Sequence, residues 1–165
     1  MVRLRVYVET SVWSFAFADD APDYRAATLA FFDQCRAGAV STFVSQIVLA
    51  EIERAREPLR GRLTGLIRGI RPTLLPFPAA AADLADRFVR EGIVPAAKPE
   101  DARHVAAAIV AELDVLVSWN FRHIVNIRRA ERFNAAAILA SYVRPLRIAS
   151  PEEVLYGDED DADGK

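Results

Sequence analysis

The chain has 165 residues, 52% of them hydrophobic, and 29 alanines, a length and composition that suit one domain of closely packed helices, with or without a tail. Its formal net charge of −2 is uneven: residues 158–165 (DEDDADGK) sum to −4, which leaves residues 1–157 at +2, so the overall sign does not exclude a nucleic-acid partner. A single cysteine, Cys35, excludes an internal disulfide framework, a Cys-rich zinc site and a CxxC redox pair, and it suits a reducing cytoplasm.

Short β-branched runs alternate with longer helical stretches, the pattern of an α/β domain with a central, mainly parallel sheet. The first strand is expected at Leu4–Val8, within MVRLRVYVET, whose apolar run is too short and too soon broken by Glu9 to act as a signal peptide. A loop rich in Asp and Ala leads to a helix over Tyr24–Ala37, closed by Gly38. Val40–Val44 reads as strand, and Ser45 can cap a helix through IVLAEIERA. A helix over Pro58–Ile70 sets Gly61, Gly65 and Gly69 along one face, which suggests close helix packing there. Thr73–Leu75 is a short strand, Ala79–Glu91 a helix, and Pro99–Glu112 a helix that opens on proline. Val115–Trp119 has the character of an interior strand. A helix over Arg128–Tyr142, a weak strand at Leu146–Ala149 and one turn at 151–156 complete a domain over 1–156, with 157–165 expected as a disordered acidic tail. No apolar run approaches the roughly 18 residues of a membrane span. None of the seven glycines forms a phosphate-cradling GxGxxG or GxxxxGK[ST] motif, and GxSxG and HExxH are missing.

The acids are informative by their place. Glu9 follows VYV and stands at the carboxyl end of the first strand; Asn120 follows VLVSW at the equivalent place on another; Asp101 lies in the first turn of the helix before that strand. Open parallel sheets bind ligands beyond the carboxyl ends of their strands. Glu51 interrupts the apolar run IVLAEI, where a carboxylate is costly unless a cation pairs with it. Each residue alone has an ordinary reading: a loop start for Glu9, an edge acid reaching solvent for Glu51, a dipole-favouring first-turn acid for Asp101, and a turn or cap for Asn120. Gathered in one crevice, they would raise one another's pKa unless a cation neutralised them, and hard oxygen ligands favour Mg²⁺ or Mn²⁺.

The segments VYVETSVWSF (6–15), VSQIVLAEIERA (44–55), EDARHVAAAIVAELDVLVSWNFRHIVN (100–126) and PLRIASPEEVL (145–155) together resemble the PIN-domain ribonucleases, especially the VapC-like toxins of toxin–antitoxin modules. The resemblance spans roughly residues 3–156. It implies a PIN-like three-layer α/β/α fold and an acidic pocket for Mg²⁺ or Mn²⁺. The family's first three acids fall on Glu9, Glu51 and Asp101, which would hold the metal, and the fourth falls on Asn120. Thr10 or Ser11 supplies the small hydroxyl that positions a ligand or water. Two departures stand out: Glu9 is one methylene longer than the usual Asp, and Asn120 replaces a frequent Asp with an uncharged oxygen donor.

The activity so implied is metal-dependent hydrolysis of RNA phosphodiesters, leaving a 5′-phosphate and a 3′-hydroxyl. Arg54 within 51–71 (six arginines, three acids), and Arg122, His123 and Arg128 within 122–132 (four arginines, one acid), are the candidate RNA contacts. His104, three residues after Asp101, reads as a structural or supporting residue. The family further implies a small antitoxin that covers the pocket, and a homodimer; the cysteine usage and the lack of a long apolar run make a cytoplasmic location without a membrane anchor the expectation. The alternative is a PIN-fold protein, weakened by the Glu9 and Asn120 changes, that binds RNA or a protein partner without efficient cleavage. A phosphatase-like or receiver-like domain is disfavoured by the lack of paired acids after the first strand.

Overall fold

The computed structural model describes residues 3–156. In chain order its elements are β1 (Leu4–Val8), α1 (Thr10–Phe15), α2 (Pro22–Arg36), β2 (Val40–Ser45), α3 (Gln46–Glu53), α4 (Leu59–Ile70), β3 (Thr73–Leu75), α5 (Ala79–Arg90), α6 (Pro99–Val110), β4 (Val115–Val117), α7 (Ile127–Leu139), β5 (Arg147–Ala149) and α8 (Pro151–Tyr156). The expected acidic tail, 157–165, lies outside the described residues.

All five strands are parallel, in the order β3-β2-β1-β4-β5. The central strands are buried through their apolar side chains on both faces: Val6, Tyr7 and Val8 on β1, and Val115, Leu116 and Val117 on β4. Such strands read as continuous apolar runs because helices cover both sides of a parallel sheet. In α6, Ala102, Ala106, Ala107 and Ala108 are buried together with Val105 and Ile109, so that neighbouring backbones approach closely. Phe88 of α5 meets Phe133 of α7 edge-on, with ring centres 4.9 Å apart, in the same layer.

Strand order determines where a ligand site can form. The chain steps outward from β1 to β2 and β3, then returns through α5 and α6 to β4 on the other side of β1 and continues to β5. Right-handed crossovers therefore put the two sets of connections on opposite faces. The reversal lies between β1 and β4, which are paired Val6 to Val115 and Val8 to Val117. The crevice at such a switch point opens beyond the strand ends, where Glu9 and Ser118 follow β1 and β4.

Three features differ from the sequence expectation. Residues 10–15, read there as loop, form α1, because the Glu9 side chain accepts a hydrogen bond from the Ser11 N–H and caps the helix. Glutamate is not among the favoured capping residues, so the start carries no ordinary signal. Second, β4 ends at Val117 rather than Trp119, which frees Ser118 and Trp119 for side-chain bonding. Third, the glycine face of α4 is not a packing seam: Gly61, Gly65 and Gly69 are exposed, and a Cβ at Gly65 or Gly69 would meet nothing within 4 Å. Gly38, by contrast, adopts φ +79° after α2, the left-handed residue its position suggested. Because Gly65 is a mid-helix glycine with open space around it, Gly65→Ala is expected to stabilise the protein by about 0.5–1 kcal/mol in urea unfolding. A loss of stability would mean that another surface packs on this face.

Candidate active site

Glu9, only 4% exposed, is bound through one oxygen. Its Oε2 accepts from the Ser11 N–H at 2.9 Å, from the Ser11 hydroxyl, and from the Ser118 hydroxyl at 2.9 Å. Those hydroxyls in turn accept from the backbone: Ser11 Oγ from the Trp119 N–H and Ser118 Oγ from the Asn120 N–H, each at 2.9 Å. Two serines thus lock the turn after β4 onto the carboxylate after β1. The Glu9 N–H also donates to the Val117 carbonyl at 3.1 Å, so backbone and side chain close the switch point together.

Glu51 reaches the same region from α3. Its Oε1 lies 2.5 Å from His104 Nε2 and accepts from the Thr10 hydroxyl at 3.1 Å. His104, on α6, is fully buried, and its other nitrogen, Nδ1, lies 2.7 Å from the Tyr7 hydroxyl. Tyr7 also meets Ser45 Oγ at 2.7 Å, and Ser45 Oγ caps α3 by accepting from the Ile47 N–H at 3.2 Å. The result is a buried chain of polar groups from the cap of α3, through β2 and β1, to α6 and back to α3.

The His104 ring can complete this chain in two ways. A neutral ring lets each hydrogen pass in one direction: Ile47 N–H to Ser45, Ser45 to Tyr7, Tyr7 to Nδ1, and Nε2–H to Glu51. A protonated ring balances the acids but leaves one of the two hydroxyl hydrogens without a place in the chain. Burial opposes charging the ring, yet the hydrogen bond to Glu51 and the negative charges of Glu9, Glu51 and Asp101 hold its pKa above the ordinary value. For Glu51, burial disfavours the carboxylate, but the bond and charge of His104, with Thr10 and Arg54, hold its pKa below the usual range. Burial raises the Tyr7 phenol, against the bond from Ser45, so Tyr7 stays a neutral hydroxyl.

Asp101, in the first turn of α6, is held differently. Burial raises its pKa, opposed by His104, by the Asn120 side chain and by His123, and reinforced by Glu51. Its Oδ2 is buried and has no hydrogen-bond partner; among the described residues the only other such side-chain atom is His123 Nδ1. Asn120 Oδ1 accepts from the His123 N–H at 2.9 Å, which shapes the turn that brings both residues to Asp101. Glu9, Glu51, Asp101, Thr10, Ser11, Asn120 and His123 therefore gather at the switch point. Arg54 lies at its rim, 3.8 Å from Glu100, and a cavity of about 200 Å³ beside Glu51 is lined by Arg54 and Arg103. Arg122 and Arg128 are exposed; the Arg128 N–H donates to the Asn126 side chain that caps α7, and among the described residues no contact joins either arginine to the acids.

The donor chemistry suits a hard divalent cation, since three carboxylates act on the His104 ring and Asp101 Oδ2 lacks a partner. The hydrogen bonds engage Glu9 through Oε2 and Glu51 through Oε1, leaving Glu9 Oε1 and Glu51 Oε2 unengaged among the described residues. The arrangement is not preassembled, however: among the described residues no three His, Cys, Asp or Glu side chains stand close enough to hold an ion together. The fit is one of donor type and of an unpaired buried oxygen.

Sequence reasoning gave Tyr7 and Ser118 no role at the site and read Ser45 only as the cap of α3, which it is; its hydroxyl also holds Tyr7. The available signal was polarity at the ends of apolar strands: Ser45 closes β2 and Ser118 follows β4. Trp119 was quoted only within a motif, yet its indole N–H donates to Thr28 at 2.8 Å and anchors the loop on α2.

No protein-family model matches the chain, and no curated protein matches it in sequence. Among solved structures it is similar to a chain of VapBC2 from Rickettsia felis bound to a DNA fragment from their promoter. The match covers 89% of this chain and 98% of that one, at 15% identity and a TM-score of 0.54. This likeness is one of fold: a five-stranded parallel sheet flanked by helices, consistent with a PIN-like domain.

The buried chain makes a specific demand on stability. Tyr7→Phe leaves His104 Nδ1 and Ser45 without their shared partner in a dry interior, and a loss of about 1–3 kcal/mol is expected from urea unfolding. A change within about 0.5 kcal/mol, the range of ordinary surface substitutions, would contradict the network.

Proposed function

We propose that the chain is a metal-dependent endoribonuclease, the toxin of a toxin–antitoxin pair, with Glu9, Glu51 and Asp101 as the ligands of Mg²⁺ or Mn²⁺. The observation that carries this reading is the unpaired, buried Asp101 Oδ2 beside two further carboxylates at the topological switch point. A carboxyl oxygen in that setting is costly unless protonated or paired with a cation.

The chemistry a divalent ion supplies when bound is polarisation of the phosphodiester and a lowered pKa for water. The protein's own groups account for the rest. Glu51, kept ionised by His104 and fixed through Oε1 by Thr10, has Oε2 left to accept a hydrogen bond from the attacking water. Glu9 is held by Ser11 and Ser118 so that Oε1 is its free oxygen. Asn120 acts on Asp101 and pins the His123 turn, a positioning role. Arg54 is 67% exposed and its ion pair with Glu100 is long, so exchanging that partner for an RNA phosphate costs little. Arg103 lines the same cavity and extends the basic rim; in this reading His123 and the exposed Arg122 and Arg128 supply further phosphate contacts.

The motifs shared with VapC-like toxins and the similar VapBC2 structure together support a toxin–antitoxin setting, in which a small antitoxin inserts a basic side chain among the acids. In this reading the protein works in the cytoplasm as a homodimer; no helix of the described residues is long and apolar enough to cross a membrane.

A second reading has an observation in its favour. One oxygen of Glu9 and one of Glu51 are already bonded, and no group of three ligands is preassembled, as expected of a PIN-fold protein that binds RNA or a protein without cutting. RNA incubated with purified protein and Mn²⁺ separates the two. The nuclease reading expects cleavage that stops on chelation and falls at least about 100-fold in Asp101→Asn, beyond the usual effect of losing a supporting partner of a metal ligand. No cleavage by the native protein, or cleavage unchanged in Asp101→Asn, would overturn it.

A further inference from the structure

Helix α7 buries Phe133, Ala136 and Ala137 against the core but leaves much of its opposite side uncovered. Ile127 and Ile138 are 81% and 55% exposed, and Phe121 just before the helix is 49% exposed. Large apolar side chains gathered at one surface mark an interaction site more often than chance exposure.

The strand beside this surface is also open. β5 is an outer strand of the sheet. The Arg147 N–H donates to the Asp114 carbonyl at 3.2 Å, and the Ala149 carbonyl accepts from the Ser118 N–H at 3.0 Å. Alternate residues of a parallel strand direct their backbone groups to opposite sides, so the N–H and C=O of Ile148 point away from the sheet. A groove of about 840 Å³ lies here, lined by Ile148 of β5, Ile127 and Ile138 of α7, and Glu152 and Glu153 of α8. Its lining carries three carboxylates, Glu131, Glu152 and Glu153, and no lysine or arginine.

We propose that this groove receives an extended segment of another protein, alternating apolar with Lys or Arg residues, which pairs with β5 as a sixth strand. The free backbone groups of Ile148 call for a strand, the isoleucine wall for apolar side chains, and the carboxylates for positive charge. Residues 158–165, with five acids and one lysine, carry the wrong sign to fill it. A second copy applied symmetrically would bring the two sets of carboxylates together. None of Glu9, Glu51 and Asp101 lines this groove, and the inference does not depend on nuclease activity.

The test is fluorescence anisotropy with a fluorescein-labelled peptide Arg-Val-Arg-Leu-Arg-Ile, alongside hydrogen exchange of the Ile148 amide followed by NMR. Saturable binding is expected, with slower exchange at Ile148. The affinity should fall about tenfold or more in Glu131→Arg/Glu152→Arg, and again when alternate peptide amides are N-methylated. Asp101→Asn should bind the peptide normally, which separates this surface from the nuclease reading. Unfolding midpoints measured alongside check that each variant remains folded. Binding indifferent to both charge reversal and N-methylation would overturn the proposal. So would a native homodimer that Ile138→Asp splits into monomers, since the groove would then belong to a second copy.

Discussion

Carboxylates brought together in a half-buried crevice repel one another, and this sheet brings three to its switch point. What makes the arrangement tolerable is the contact between Glu51 and the buried His104 ring, at 2.5 Å. The ring stands where Glu9, Glu51 and Asp101 all act on it, and Tyr7 fixes its far side. Without a donor there, Glu51 would lie unpaired among the apolar residues of α3, and the α3–α6 side of the pocket would lose its tie to the sheet. The fold accordingly places polar hydroxyls at strand ends in an otherwise apolar interior.

The acids are not equivalent as a result. Glu9 is saturated at one oxygen by two serines and a backbone N–H, so it closes the switch point as well as facing it. Glu51 is ionised by its histidine. Asp101 is the one left with an unpartnered buried oxygen, and the site's remaining demand for positive charge is concentrated there. Through its bonded oxygen, Oε2, the Glu9 carboxylate both caps α1 and holds Ser118. Asn120, lacking charge, contributes through the turn it holds to His123.

Much of this was legible before any coordinates. The alternation of apolar runs and amphipathic stretches located the five strands, and the rule for parallel sheets directed attention to Glu9 and Asn120. Glu51 stood out because a carboxylate in IVLAEI needs a partner. His104 was legible as a structural or supporting residue beside Asp101, but its contact with Glu51 was not, since Tyr7, Ser45 and His104 come from distant elements that only the tertiary fold brings together. Helix α1 was missed because an unusual capping residue begins it, and the glycines of α4 misled because regular spacing does not tell a packed face from an exposed one. The groove beside β5 was also invisible: strand order, which makes β5 an edge, is not encoded in local periodicity.

The central proposal is that Glu9, Glu51 and Asp101, which all act on His104, form one cation-binding site centred on Asp101. Calorimetric titration of the purified protein with Mn²⁺ tests it most directly, because it reads the site without requiring an RNA target. The account predicts saturable binding that is lost in Asp101→Asn while the variant keeps the native unfolding midpoint within a few degrees, as expected for a change of about 1 kcal/mol. No binding by the native protein, or binding that Asp101→Asn leaves intact, would contradict it.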